Sequence, residues 1–324
     1  MKTVTKIFLY LILFLAIVFT GLLLFVKFYL PDVGPAPDVK AEMTDSRIER
    51  GKYLANHVMV CVDCHSSRDW DKFSGPLIPG TEGMGGEAFT AKFGFPGEFY
   101  AKNITPAGLA NWTDGEILRA ISSGVNKDGK ALFPIMPHPF FGKLDQEDLL
   151  SVIAYIRTLK PIENEVPESR ADFPMNFIIN TIPAKHDFHP IPSKSDTLAY
   201  GEYLITAATC MDCHTKQKDG KYEEGMLYAG GFEFPLPYGG VVRSANITPD
   251  PETGIGGLSK ENFIRKFKNY ADSTGQNLPV KRGAYNSYMP WTMYAGMTEE
   301  DLAAIYTYLM TVKPVKNQVI KFEN

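Results

Sequence analysis

The sequence predicts an all-α protein, two tandem helical domains behind an N-terminal transmembrane helix. Three observations carry that expectation. One is an uncharged stretch of 20 residues, Ile7 to Val26. Another is an internal repeat built around Cys61-Val62-Asp63-Cys64-His65 and Cys210-Met211-Asp212-Cys213-His214. The third is apolar residues at helical spacing, with capping residues ahead of them. The 324 residues divide into a membrane segment (1–30), a linker (31–42), a first domain (43–165), an interdomain strap (166–195) and a second domain (196–324).

About 20 apolar residues suffice to span a bilayer as a helix. Lys2 and Lys6 precede the run and favour a cytoplasmic N-terminus. A cleaved signal peptide has a shorter apolar core, about 7–15 residues, closed by small residues. Here the run continues into Lys27-Phe28-Tyr29-Leu30-Pro31 without such a site, so an uncleaved anchor is expected. Pro31 to Pro37 reads as an extended spacer.

The repeat then begins. Gly51-Lys52-Tyr53-Leu54 matches Gly201-Glu202-Tyr203-Leu204, and Gly85-Gly86 matches Gly230-Gly231. Asn103-Ile104-Thr105-Pro106 recurs as Asn246-Ile247-Thr248-Pro249. Met136-Pro137 recurs as Met289-Pro290, and from there the copies run without gaps to Val166 and Val319. Ser46 is placed to cap a helix through Ile48 and Leu54, while Thr113 and Ser259 precede helices carrying Ile117/Leu118 and Phe263/Ile264. The last helix of each copy opens at Asp145 or Thr298, with Asp148 or Asp301 at its third position, near a capping box. Lys160-Pro161 and Lys313-Pro314 stop these helices. Strand signals are confined to Gly/Phe-rich loops at 86–100 and 230–243. The segment 166–195 has five prolines, yet Phe173, Phe177, Ile178 and Ile179 make it too apolar for a free tether. It is expected to lie as a semi-rigid strap across both domains.

Cys-x-x-Cys-His is the attachment signal of a c-type haem. Two thiols three positions apart reach both vinyl groups on one porphyrin edge, and the following imidazole takes the iron from below. All four cysteines of the chain are used this way, giving Cys61, Cys64 and His65 at one site and Cys210, Cys213 and His214 at the other. A disulfide or redox dithiol is the competing reading. A zinc ribbon is another, but its Cys pairs stand about 15–20 residues apart. Neither explains a His after the second Cys in both copies.

Function turns on the opposite iron face, where a Met thioether raises the potential and suits electron transfer. A ligand needed twice should recur, and Met136 and Met289 do. Met84 aligns with Ala229 and Met226 with Thr81, so neither recurs. His138 aligns with Trp291 and is the first substitute in copy one; His57, His186 and His189 have no counterpart. Asn103 and Asn246 could donate hydrogen bonds to a buried haem propionate, or simply form turns through their own backbone. Trp112 and Trp291 are read as core residues or as packing on porphyrin edges.

With these motifs in place, the chain resembles the c-type cytochrome subunits of bacterial membrane-bound alcohol, aldehyde and gluconate dehydrogenases and their dihaem relatives. Gly-x-Tyr-Leu ahead of Cys-x-x-Cys-His, the Gly-Gly loop, Asn-Ile-Thr-Pro-Asp at 246–250 followed by Gly254-Ile255-Gly256, Phe173-Pro174-Met175-Asn176-Phe177 and the Met-Pro pairs carry the resemblance. It implies two class I cytochrome c-like haem domains, two covalent haems c, periplasmic placement at the inner membrane, and electron transfer between a dehydrogenase and the respiratory chain. Partners would be a dehydrogenase, an oxidase, or a small cytochrome or cupredoxin. Those dehydrogenase subunits usually carry three haem motifs and a C-terminal membrane segment; this chain has two motifs and an N-terminal apolar run. The formal charge, 33 basic against 37 acidic residues, excludes a general nucleic-acid binder. An electron carrier is expected in preference to an enzyme. The rival is a dihaem peroxidase with one open haem, against which the two matched methionines speak.

Overall fold

The computed structural model describes residues 2–218 and 220–324. Met1, Asp219 and the side chain of Lys2 lie outside them, so the reading of Lys2 as a cytoplasmic charge does too. Seven helices of nine residues or more are described: α1 (Lys2–Phe28), α2 (Asp45–Tyr53), α3 (Asp114–Ser123), α4 (Gln146–Arg157), α5 (Thr197–Ala207), α6 (Lys260–Lys268) and α7 (Glu299–Leu309). Thr113 forms a full capping box with Glu116, and Ser259, Asp145 and Thr298 each cap as expected. At α2 the cap is Thr44 and not Ser46: the Thr44 hydroxyl accepts the Arg47 N–H.

Both copies are built on one helix crossing, α2 over α4 and α5 over α7. The glycines of the two Gly-x-Tyr-Leu motifs make it close. A Cβ on Gly51 would stand 1.8 Å from the Ser151 carbonyl oxygen, and one on Gly201 2.1 Å from that of Ala304. Leu54, Leu118, Leu149 and Ile153 of copy one and Leu204, Phe263, Leu302 and Ile305 of copy two belong to a single continuous core.

The all-α expectation is overturned. The chain is 39% helix and 9% strand, with the strands in three small sheets, a mixed class. In copy one, β1 (Ala88–Phe89) and β2 (Gly97–Tyr100) form a hairpin that adds β3 (Arg170–Ala171) from the strap. Near the motif of copy two, β4 (Gln217–Lys218) pairs with β5 (Lys221–Tyr222). Further on, β6 (Glu233–Pro235) and β7 (Val241–Arg243) add β8 (Phe322–Glu323) from the C-terminal segment. These strands have two to four residues, too short for alternation to register. Each three-stranded sheet takes its third strand from beyond the last helix of its copy, a long-range pairing with no local signature.

The strap does not lie evenly across both domains. Its hydrogen bonds run mostly to copy one: Asp172 N–H to Pro96 C=O (3.0 Å), Asp187 N–H to Gly142 C=O (2.8 Å) and Ile191 N–H to Asp145 Oδ2 (2.9 Å). Lys194 reaches copy two at Asp301, 3.5 Å away. The short helix Met175–Ile178 touches α1. Most apolar side chains along Thr3–Phe28 are exposed, and this helix is long and apolar enough to cross a membrane.

Asp148 and Asp301 close no capping box. Each turns to the other copy: the Tyr53 hydroxyl donates to Asp301 Oδ2 and the Tyr203 hydroxyl to Asp148 Oδ2, both at 2.6 Å. The copies thus meet through one reciprocal contact made twice. Its halves differ in backing. Asp148 also takes two bonds from Arg50, at 2.8 and 2.7 Å, whereas fully buried Asp301 has, among the described residues, only the Lys194 amine at 3.5 Å as a further side-chain donor. Tyr53→Phe should therefore cost more than Tyr203→Phe, within about 1–3 kcal/mol for a buried acceptor losing its donor. Equal shifts in denaturant midpoint would contradict this ordering.

Candidate functional site

The two motifs sit in matching local structure. A residue in the left-handed region precedes each, Val60 at φ 47° and Thr209 at φ 50°, and turns the chain out of the preceding helix. One helical turn then carries the thiols, Cys61–Cys64 in copy one and Cys210–His214 in copy two. In each case the histidine ring is fixed by a carbonyl that lies immediately before the repeated Asn. His65 Nδ1–H donates to Lys102 C=O at 2.6 Å, and His214 Nδ1–H to Ala245 C=O at 2.7 Å. Burial lowers both imidazole pKa values, favouring the neutral ring. A neutral ring with Nδ1–H committed presents its Nε2 lone pair, the tautomer a metal-binding histidine needs.

The loops behind the histidines are also duplicated. Gly85 and Gly230 donate to the carbonyls of His65 and His214 at 2.9 and 2.7 Å. Both are at positive φ (73° and 75°) and lie against the Lys102 and Ala245 backbones. A side chain at either glycine would push away the strand that holds the histidine. Asn164 and Asn317 donate to the carbonyls of Met84 and Ala229 at 2.9 and 2.8 Å and tie the loop to the end of each copy.

Asn103 and Asn246 serve the loops themselves. Asn103 Oδ1 accepts from the Thr105 N–H (2.9 Å) and hydroxyl (2.7 Å), and its amide donates to Ile162 C=O. Asn246 repeats this with Thr248 and Val315, and its amide also donates to the Thr253 hydroxyl. Both amide hydrogens of Asn246 are thereby used. The Oδ1 bonds are those of a local turn, while the amide bonds to Ile162 and Val315 reach 59 and 69 positions along the chain.

Met136 and Met289 occupy equivalent turns. His138 N–H donates to Met136 C=O (2.7 Å) and Trp291 N–H to Met289 C=O (2.8 Å), around Pro137 (φ −78°, ψ 54°) and Pro290 (φ −79°, ψ 65°). These are inverse γ-turns. Both methionines are half-buried. His138, the substitute in copy one, is 1% exposed, and among the described residues its Nε2 has no hydrogen-bond partner and lies against Gly124. Burial pushes its pKa down to about 4, so it stays neutral. The other histidines are occupied elsewhere. His57 Nδ1–H donates to Met293 C=O of the other copy at 2.9 Å, and His186 stacks on Phe188. Trp291 packs on Phe267 and Tyr270, as a core residue.

The competing uses of the cysteines fare poorly. Burial raises the thiols of Cys61 and Cys210 to about 12, so neither is a thiolate at neutral pH. All four cysteines are free, and among the described residues no three His, Cys, Asp or Glu side chains cluster to hold a metal ion. Two thiols on one turn followed by an oriented imidazole do fit an iron porphyrin held by thioethers.

Comparison with known proteins agrees. The cytochrome c family model matches residues 198–313, the second copy. The cytochrome c subunit of a quinone-dependent alcohol dehydrogenase from Gluconacetobacter polyoxogenes is 27% identical over 83% of this chain and 56% of its own length. The fructose dehydrogenase cytochrome subunit of Gluconobacter japonicus is 28% identical over 86% of this chain and 55% of its own. A dihaem c-type cytochrome of Cereibacter sphaeroides is 25% identical over 79% of this chain and 83% of its own. The chain spans little more than half the length of the two dehydrogenase subunits. Residues 198–313 accordingly match the cytochrome c family, and the chain is similar to the cytochrome c subunits of alcohol, fructose and gluconate dehydrogenases.

Proposed function

We propose that this chain is a membrane-anchored dihaem cytochrome c that carries electrons from a dehydrogenase or similar donor toward the respiratory chain. The observation that carries it is the twofold use of one arrangement: Cys-x-x-Cys-His with the ring nitrogen pinned at 2.6 and 2.7 Å by equivalent carbonyls. Each haem, once attached, supplies a one-electron iron couple. The protein's part is to hold it. Cys61, Cys64, Cys210 and Cys213 would hold the porphyrins through thioethers, and His65, His214 and, on matching γ-turns, Met136 and Met289 would bind the irons.

The anchor reading rests on α1, most of whose apolar side chains are exposed; exposed area of that kind marks a surface for lipid or a partner. With basic residues at its start, the haem domains would stand on the periplasmic side of a bacterial inner membrane. Full-length chain recovered with membranes, its N-terminus intact, is the expected result; soluble protein starting near residue 30 would make the segment an export signal. The dehydrogenase partner is supported by the names of the relatives.

Met289→Ala should lower the midpoint potential of one haem and admit carbon monoxide to it, because a thioether that favours Fe(II) is gone. Unchanged midpoints in a redox titration, with no new carbon monoxide band, would reject Met289 as ligand. Strong carbon monoxide binding by the unaltered protein would instead favour an enzyme with an open haem.

A further inference from the structure

We infer that Ser74, a residue of the first domain, is a positioning residue for the Met289 turn of the second. The inference rests on the reading of Met289 as an iron ligand. The loop after the first haem motif leaves its own domain and docks on the second. Phe73 N–H donates to Leu278 C=O (2.8 Å), and Val280 N–H returns to Asp71 C=O (2.9 Å). Asn286 Oδ1 accepts the Ser74 N–H (2.8 Å), while its amide donates to the carbonyls of Trp70 (3.3 Å) and Lys72 (3.1 Å). Phe73 stacks on Tyr270, and Trp70 packs on Tyr288, the residue before Met289. Arg282 closes the outer edge on both oxygens of Asp71.

At the tip, the Ser74 hydroxyl donates to Met289 C=O at 2.5 Å and accepts the Trp291 N–H at 2.9 Å. It therefore bridges both ends of the γ-turn that presents Met289. Ser74 is fully buried and sits at φ 67°, a left-handed conformation that is unfavourable for a non-glycine residue. Such strain persists only where the surroundings over-determine it. The turn around Met136 has the same backbone bond, but among the described residues no hydroxyl of the other copy bridges it. Two copies of one ligand turn thus differ: the second is clamped by the first domain, and the first is not.

The consequence is directional. A thioether ligand stays on iron only while its loop keeps it there, and ordering loop residues is entropically costly. Loss of the clamp should weaken Met289 ligation alone and leave Met136 as it was. Ser74→Ala and Ser74→Gly are compared, in the full-length dihaem protein, with Met136→Ala and Met289→Ala. The glycine variant accepts φ 67° without strain and keeps the test valid should the alanine variant fold poorly. Met289→Ala identifies the midpoint that belongs to the second haem. The Ser74 variants should lower that same midpoint and raise carbon monoxide binding there about tenfold, the scale of one buried hydrogen-bond partner lost. The other midpoint should not move. If Met289→Ala shifts one midpoint and the Ser74 variants leave it in place, the positioning role is overturned and the ligand stands. If Met289→Ala shifts neither, the ligand reading fails and this inference fails with it.

Discussion

Replacing Cys210 and Cys213 together by alanine is expected to halve the haem that survives acid–acetone extraction, from two equivalents per chain to one, and replacing Cys61 and Cys64 together to do the same at the other site. Each motif would give its porphyrin two thioethers from one helical turn, so only the loss of both thiols removes every covalent link. The histidine would still be aimed, because the Ala245 carbonyl holds it from outside the motif. Some non-covalent colour could therefore remain, and the pyridine assay after extraction is the measurement that separates the cases. The two substitutions should act independently, since each motif has its own histidine, glycine loop and carbonyl. Extraction-resistant haem of one equivalent or none in the unaltered protein, made in maturation-competent cells, would end the dihaem reading. So would two full equivalents in the protein that lacks both Cys210 and Cys213.

The chemistry-bearing residues were legible in the sequence because a repeat supplies its own control. A residue kept in both copies at one spacing serves something both copies do. That logic finds the cysteines, histidines, methionines and crossing glycines. It also flagged Asp148 and Asp301 and the tyrosines at 53 and 203, but a local capping rule absorbed the aspartates before a contact across the copies was considered. The reciprocal bonds span 248 and 55 positions and leave no periodic trace. β1, β2, β6 and β7 lie in the two loops that carry strand signals, whereas β3 and β8 exist only as partners of those distant hairpins and leave no local trace. Ser74 was illegible for the opposite reason: it belongs to one copy only.

Gly201→Ala should destabilise the second domain and, with it, the attachment of its haem. Alanine is ordinarily the better helix residue by about 1 kcal/mol. Here its Cβ would stand 2.1 Å from the Ala304 carbonyl oxygen, 2.7 Å from the carbonyl carbon and 3.1 Å from the Tyr308 side chain. The obstacle is backbone of α7, which cannot swing aside as a side-chain tip could. The helices must separate, and overpacking of this kind costs about 1–3 kcal/mol and occasionally more. The clash outweighs the propensity gain. A parting of α5 from α7 also moves Thr209 and Cys210, which follow α5 directly, so haem occupancy at the second site should fall with stability. Gly51→Ala is the matching test in copy one, where the approach is tighter at 1.8 Å. Gly21→Ala is the control: it lies in α1 with nothing within 4 Å and should change nothing. Denaturant midpoints and haem content are the readouts. A Gly201→Ala protein with an unchanged midpoint and both haems would mean that the crossing tolerates a methyl group, and that the glycine of Gly-x-Tyr-Leu does not set the distance between these helices.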